Sequence, residues 1–169
     1  MMKTTQTSAG PESQFVTFAL GNEVFAVPVT VVREILDHED VFKIPHGPDY
    51  LMGLRDVRGQ GVPIVDLRLR LGMPAMEKTA HTRVLVLDIP FTHRMLTIGL
   101  VADKVFEVVP FRHEAIDAAP DIGVRWNSEY IEGVVRRDGD FVVIVNLARL
   151  FSDNGAALAS FGAKTREIA

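Results

Sequence analysis

The feature of this chain that most constrains its fold is an internal repeat. The segment 53–67 (GLRDVRGQGVPIVDL) aligns without a gap with the segment 133–147 (GVVRRDGDFVVIVNL), at an offset of 80 residues. A second correspondence precedes it, because the segment 27–35 matches the segment 100–108 at an offset of 73 residues. Two similar halves in the same order predict two small β-barrels. Each half is too short to bury much apolar surface alone, so we expect the barrels to share a core.

Short apolar runs rich in Val and Ile make up the repeat and the segments around it. Such residues favour a half-buried, pleated surface, so each run is predicted to be a β-strand. The predicted strands are 15–20, 24–27, 31–36, 61–65, 84–89, 96–101, 105–111, 131–135 and 141–145. Gly21-Asn22 and Asp138-Gly139 are typical of tight hairpin turns. The pattern therefore predicts an all-β fold of barrel or sandwich type.

Short helices are predicted where each copy of the repeat ends. Asp66 and Asn146 occupy equivalent positions, and both residue types are good helix N-caps. Gly72 follows the first copy, where a glycine would end a helix. In the tail, 152–169, Ala and Leu favour a weak helix and Gly162 opposes it.

The chain divides into three parts on this pattern. Residues 1–13 are polar and predict a disordered lead, and residues 152–169 form the tail. Between them we predict one two-barrel domain, 14–151, with 14–80 as the approximate first barrel and 81–151 as the second. The order of the repeat does not fix which barrel a strand joins, so an exchange of terminal strands stays open.

Composition argues against several classes of function. The formal net charge is −4 and no dense basic run exists, so binding of nucleic acid through its phosphates is not expected. No stretch approaches the roughly 18 consecutive apolar residues of a spanning helix, so no direct membrane insertion is expected. The chain contains no cysteine, which excludes disulfides, thiolate catalysis and cysteine-ligated zinc. The expected location is the cytoplasm.

The remaining polar residues do not form a recognisable catalytic or metal site. The five histidines lack the short spacings that metal sites often use; they are His38, His46, His81, His93 and His113. No serine lies in a GxSxG turn. The paired carboxylates lie at predicted turns, where Asp is common for backbone reasons. We therefore predict no catalytic residue, no metal ligand and no cofactor, and we expect a protein that is not an enzyme.

Two surface segments are candidates for an interface instead. Arg55 and Arg58 lie in the turn between two apolar strands, where arginines can bind a partner through planar, multi-donor hydrogen bonding. The alternative for this turn is an ordinary solvated hairpin tip. In the segment 32–35, strand alternation puts Val32 and Glu34 on one face. An apolar side chain beside a charged one indicates an interface rather than a core or a fully polar surface.

The order of these segments resembles the CheW family of coupling proteins. The matching motifs span roughly residues 15–151, and they are Phe18-x-Leu20-Gly21, Ala26-x-Pro28, Val32-x-Glu34-Ile35, Pro45, the Gly53 segment, 62–68 (VPIVDLR), Gly99-Leu100-Val101-x-Asp103-x-Val105 and Tyr130-Ile131-x-Gly133-Val134. The resemblance implies two intertwined five-stranded β-barrels of SH3 type without catalytic activity. It also implies a coupling role, in which the protein binds the cytoplasmic tips of chemoreceptors and the regulatory domain of the histidine kinase CheA. The protein would then be recruited to membrane-associated receptor arrays.

The resemblance also implies particular contact residues. Those implied to bind the receptor are Val32, Glu34, Ile35, Gly53, Asp56, Val57 and Arg58. Asp56 stands where the family usually has Asn. The loop implied to face the kinase is 114–122, with Asp117 and Ile122 as its contacts. Asp117 stands where close relatives often carry a basic residue, whereas Ile122 keeps the apolar character of its position.

Two other functions stay open. A CheW-like adaptor could serve a non-flagellar chemosensory system, such as one that drives pili. A small-molecule-binding β-barrel or a hydrolase could share the pattern, and a convergent polar cluster inside a deep pocket would favour that function. The sequence shows no such cluster.

Overall fold

The fold is all-β, as predicted, apart from single helical turns. The structure is a computed structural model that describes residues 12–91, 93–118 and 130–152. The strands are β1 (Glu12–Leu20), β2 (Glu23–Pro28), β3 (Val32–Asp37), β4 (Leu51–Val57), β5 (Gln60–Asp66), β6 (Arg83–Pro90), β7 (Met95–Ala102), β8 (Lys104–Arg112), β9 (Ile116–Asp117), β10 (Ile131–Arg137) and β11 (Asp140–Val145). The helices are α1 (Leu67–Arg70) and α2 (Leu147–Leu150), with 3-10 turns at Val29–Val31 and His113–Ala115. The predicted tail helix and Ile122 lie outside the described residues, as does most of the predicted N-terminal lead.

Two sheets form the two barrels, and their strands are exchanged relative to the order of the chain. The first sheet has the order β3-β6-β7-β5-β4 and the second has the order β8-β1-β2-β11-β10-β9. The N-terminal hairpin β1–β2 thus joins strands of the second half, while β6 and β7 join strands of the first half. The sheets therefore do not divide the chain at residue 80. The repeat identifies equivalent segments, but not which sheet completes its hydrogen bonds with each of them.

Both repeat offsets are visible in the pairing of the strands. β5 pairs in parallel with β7, where Ile64 lies opposite Gly99. β11 pairs in parallel with β2, where Ile144 lies opposite Ala26. The first residues of these pairs differ by the offset of 80 and the second by the offset of 73. The two barrels are therefore copies of one arrangement.

A core shared by the two sheets joins the barrels, as the short halves predict. The largest buried cluster combines Phe18 and Val27 of the second sheet with Leu87 and Ile98 of the first. Two smaller clusters fill the barrels; one surrounds Phe111 and Val142, and the other surrounds Val62 and Ile64. Burial of this apolar surface between the sheets is the main term that holds the barrels in one unit.

The predicted helix caps are present in both copies of the repeat. The side chain of Asp66 accepts a hydrogen bond from the Arg68 backbone N–H at 3.0 Å. The side chain of Asn146 accepts one from the Arg149 backbone N–H at 3.0 Å. Gly72 has φ +79° just past α1, which is the left-handed conformation expected of a C-terminal glycine. The alternating sequence around Leu69 is thus a helical turn rather than a strand.

Candidate functional site

The edge strand β3 and the β4–β5 turn meet through one ion pair. The Nε of Arg58 donates to Oε2 of Glu34 at 3.0 Å, and its Nη2 donates to Oε1 at 3.1 Å. This fork of two parallel bonds fixes the plane of the guanidinium group. The Arg58 side chain is 78% exposed and the Glu34 side chain is 17% exposed. Arg58 is therefore largely open to solvent, whereas Glu34 is largely covered. We call this pair the first clasp.

Both groups of the first clasp stay charged over the physiological range. The hydrogen bond from Arg58 lowers the pKa of Glu34, and Arg33 and Arg55 lower it further through their charges. The hydrogen bond to Glu34 raises the pKa of Arg58 in turn. The positive charge of Arg58 is therefore exposed and fixed in position, and the Glu34 carboxylate that balances it is largely covered.

The backbone conformation of the β4–β5 turn holds Arg58 at the tip of the hairpin. Arg58 has φ +54° and Gly59 has φ +85°, which are the two left-handed residues of a type I′ hairpin turn. Asp56 accepts a hydrogen bond from the Gly59 backbone N–H at 2.8 Å. A carboxylate oxygen can thus fill the acceptor role of the family's usual Asn at this position.

A second ion pair continues the polar surface along β3. The guanidinium of Arg33 donates to both carboxylate oxygens of Asp88, at 3.0 and 2.8 Å, and reaches the side chain of Gln60 at 3.3 Å. Thr97 donates to the same carboxylate at 2.6 Å. Sequence reasoning missed Asp88, because it lies on β6 and no local motif connects it with β3.

A bulge changes the alternation that the sequence predicts for β3. Val32 lies opposite Leu87 and Glu34 lies opposite Val86, so Arg33 is the extra residue. Val32 consequently packs against the shared core, while Leu36 packs inside the first barrel. Ile35, which follows Glu34 in the chain, leaves its side chain exposed. The bulge thus changes which side of β3 the residues before and after it face.

Two of the implied receptor contacts are buried. Val57 packs inside the first barrel. Gly53 is buried at φ +153°, and a Cβ added there would lie 2.4 Å from the carbonyl oxygen of Phe42. Two backbone hydrogen bonds of 2.7 Å between Phe42 and Leu54 hold the two segments together at this point. Gly53 therefore allows the backbone of Phe42 to lie close against β4. It presents no side chain to a partner.

The implied kinase contact Asp117 lies on the surface of the second barrel. It belongs to the two-residue strand β9, where it pairs with Val134 of β10. A Cβ added to Gly133 would lie 2.8 Å from the carbonyl oxygen of Asp117. The equivalent glycine of the first barrel, Gly53, has a similarly close contact with the backbone of Phe42. Ile122 lies outside the described residues, so Asp117 is the implied kinase contact that the structure places.

A cavity of about 250 Å³ beside α1 is the feature that a small-molecule site would need. Its central cation, Arg68, is buried, and it forms ion pairs with Asp66 and Asp103. Two carboxylates thus compensate the charge of Arg68 in this cavity. Among the described residues, no group of three or more acidic, histidine or cysteine side chains could hold a metal ion. Within the same ranges, no helix has the length and apolar character needed to cross a membrane.

Two β-barrels on one shared core define the class of this molecule as a two-barrel β-protein. The family model of the CheW-like domain matches residues 14–155. The chain therefore belongs to the CheW family of chemotaxis scaffold proteins.

Individual relatives agree with this assignment. The chain is 32% identical to the chemotaxis protein CheW of Klebsiella aerogenes over 152 residues, which is 90% of this chain and 89% of the relative. It is 28% identical to the protein PilI of Pseudomonas aeruginosa, over 75% of this chain and 68% of that protein. The crystal structure of a scaffolding CheW protein from Thermoanaerobacter tengcongensis matches with a TM-score of 0.75 and 27% identity, over 86% of this chain and 90% of that chain.

Proposed function

We propose that this chain is a non-catalytic adaptor that couples chemoreceptor tips to the histidine kinase CheA in a receptor array at the cytoplasmic face of the membrane. The observation that carries the proposal is the first clasp. It occurs on the strand and turn that the family resemblance assigns to receptor contact. Membership of a chemotaxis scaffold family supports the same role.

The clasp has the chemistry of a recognition element. Glu34 occupies the Nε and Nη2 of Arg58, so Nη1 remains to donate to a carbonyl or carboxylate oxygen of a partner. Because the guanidinium is already oriented, docking loses little side-chain entropy. Ile35, which follows Glu34 on β3, adds an exposed apolar side chain to this strand. A helical receptor tip with an apolar stripe and an exposed acceptor has the complementary chemistry.

The kinase is proposed to bind the second barrel. Asp117 is the candidate rim charge and Ile122 the candidate apolar centre. The two positions divide the usual roles of an interface, in which the centre supplies affinity and the rim selects the partner. Separate barrels would let one chain hold receptor and kinase at the same time.

The direct experiment is a three-component binding measurement. Purified chain, a soluble receptor-tip fragment and the regulatory domain of CheA from the same organism are combined and analysed by sedimentation velocity. We expect a ternary complex with the wild-type chain and only a binary complex with kinase for the Arg58→Glu variant. Arg112→Glu is the matched control, because Arg112 is an exposed arginine that also pairs with a glutamate, Glu114. Failure of the wild-type chain to bind either partner would refute the proposal.

A second candidate function is an adaptor of a non-flagellar chemosensory system. The similarity to PilI is the observation that favours it. The same clasp and barrels would serve either system, so the distinction is made in the cell. Deletion of the gene should abolish chemotactic swimming under the first proposal and leave swimming intact under the second.

A further inference from the structure

The two copies of the repeat meet at Arg70. This arginine is the last residue of α1, in the first copy, and its Nε donates to the carbonyl oxygen of Leu150 at 3.0 Å. Leu150 is the equivalent of Arg70 in the second copy, at the offset of 80, and it is the last residue of α2. The Arg70 side chain thus joins two helical turns that follow strands of different sheets.

The guanidinium of Arg70 also contacts an aromatic ring from each copy. It lies 5.5 Å from the centre of the Tyr50 ring and 4.9 Å from the centre of the Tyr130 ring. At these distances a cation is attracted to the face of an aromatic ring. Tyr50 and Tyr130 are equivalents at the same offset of 80. Arg70 therefore binds both members of one repeat pair at once.

Each tyrosine is held in place by the same backbone hydrogen bond. The N–H of Asp66 donates to the carbonyl oxygen of Tyr50 at 2.8 Å, and the N–H of Asn146 donates to that of Tyr130 at 2.8 Å. Asp66 and Asn146 are the N-caps of α1 and α2. The Tyr50 ring also lies 6.2 Å from the ring of Phe151, which follows α2. Contacts therefore run from one cap to the other through the two tyrosines and the arginine.

These contacts add direction to the packing of the barrels. Leu150 is completely buried, whereas Arg70 is partly exposed at the margin of the shared core. The core keeps the barrels together, but burial of apolar surface favours no particular angle. A hydrogen bond depends on the angle between its groups, as does the contact of a cation with the face of a ring. Together they restrict rotation of one barrel against the other.

We infer that Arg70, with Tyr50, Tyr130 and the Leu150 carbonyl, is a device that fixes the orientation of the second barrel on the first. We call this group the second clasp. Arg70 is thus a positioning residue and not a contact for a partner. One consequence rests on the proposed function, in which one barrel holds the receptor and the other the kinase. A rigid junction then transmits a displacement of one partner to the other, and a loose junction does not.

Hydrogen exchange of two backbone amides tests the second clasp locally. The informative variant is Arg70→Met, which keeps a long unbranched side chain and removes the charge and the donor. Arg149→Met is the matched control, because Arg149 is an exposed arginine of the equivalent turn α2. We expect exchange of the Asp66 and Asn146 amides to accelerate at least about tenfold in Arg70→Met and to stay unchanged in the control. The amides of β6 and β7, in the shared core, report any global loss of stability.

A distance between the barrels tests their orientation. The chain contains no cysteine, so Met95→Cys/Phe141→Cys can be spin-labelled at these two sites alone. Met95 lies on β7 of the first sheet and Phe141 on β11 of the second, and both side chains are exposed. Double electron–electron resonance should give one narrow distance distribution, unchanged by Arg149→Met and broadened by Arg70→Met. Arg70→Lys should give an intermediate width, because lysine keeps the charge but lacks the planar group that stacks and donates at once.

The outcomes separate this inference from the proposed function. A broader distribution in Arg70→Met, with faster exchange at the two cap amides and not in β6 and β7, supports the second clasp. An unchanged width overturns it whatever the exchange rates, and the shared core alone then sets the orientation. Acceleration that is equal at the caps and in the core also overturns it, because it shows a global loss of stability. The proposed function fails by a different result, which is the lack of receptor-tip or kinase binding by the wild-type chain.

Discussion

The guanidinium of Arg58 lies over the carboxylate of Glu34, and the arginine is the more exposed partner, with 78% of its side chain accessible against 17% for the glutamate. The two residues therefore have different roles at one surface. Arg58 faces the solvent and any partner, whereas Glu34 lies beneath it and fixes its orientation. Substitutions at the two positions should reveal this difference.

Charge reversal at Arg58 should affect binding more than stability. Arg58→Glu removes an ion pair whose arginine is 78% exposed, so the thermal midpoint should fall only slightly, and by somewhat more than that of Arg112→Glu because Glu34 is only 17% exposed. Receptor-tip affinity should fall about tenfold, because docking at the proposed site would desolvate the cation. Thermal melting and titration calorimetry measure the two effects. Equal tip affinities for Arg58→Glu and Arg112→Glu would remove Arg58 from the interface.

Acid should weaken the first clasp, and neutral pH should not. The hydrogen bond from Arg58 holds the pKa of Glu34 below its ordinary value of 4.5. A lowered pKa in the folded state contributes stability that is present above the ordinary pKa and is lost as the pH falls through the lowered one. The difference in urea midpoint between wild type and Glu34→Gln should thus stay constant above about pH 5.5 and shrink in more acidic solution. A difference that changes between about pH 6 and pH 8 would assign the effect to another group.

On the kinase side, Asp117 should govern the choice of partner. It is exposed on a short edge strand, so Asp117→Arg should leave the unfolding midpoint unchanged. The variant should bind better to the regulatory domain of a non-cognate kinase that carries an acidic counterpart. Ile122→Ser should lower affinity for the cognate kinase more than Asp117→Arg does, because apolar centres carry most of the binding energy. Titration of both variants against both kinases decides this. Negligible effects in all four would place the kinase surface elsewhere.

Gly53 should be required for packing, and not for contact with the receptor. Gly53→Ala would force the carbonyl oxygen of Phe42 away from β4, so we expect a loss of about 1–3 kcal/mol in the free energy of unfolding. Gly21 also has a positive φ, but a Cβ there meets nothing within 4 Å. Gly21→Ala should therefore cost only the backbone term, about 1 kcal/mol. Equal losses in urea unfolding would show that the approach of Phe42 is not limiting.

The internal repeat made much of this structure predictable from the sequence. It gave the equivalent strands, the hairpin turns and both helix caps, because each depends on residues close together in the chain. The exchange of β1–β2 between sheets could not be read from it, since either sheet satisfies the same local pattern. The Arg33–Asp88 pair was missed because it joins β3 to β6 across 55 residues. The repeat also does not predict the ion pair between Glu107 and Arg137, because Glu107 aligns with Glu34 but Arg137 aligns with Val57.

The two equivalent helix caps should differ in their contribution to stability. Asn146→Ala removes one capping hydrogen bond at α2, which typically costs about 1 kcal/mol. Asp66→Ala removes the same bond at α1 and also takes a carboxylate away from the buried Arg68, whose guanidinium lies 3.7 Å from it. A buried cation that loses a compensating charge is costly, so the loss at Asp66 should exceed that at Asn146.

Urea unfolding of the two alanine variants measures this difference. The replacement Asp66→Asn is the informative companion, because it keeps the cap and removes only the charge. It should unfold at a midpoint between those of wild type and Asp66→Ala. If Asp66→Asn matched the wild type, Asp103 alone would be sufficient to compensate Arg68, and the two caps would be equivalent in energy as well as in position.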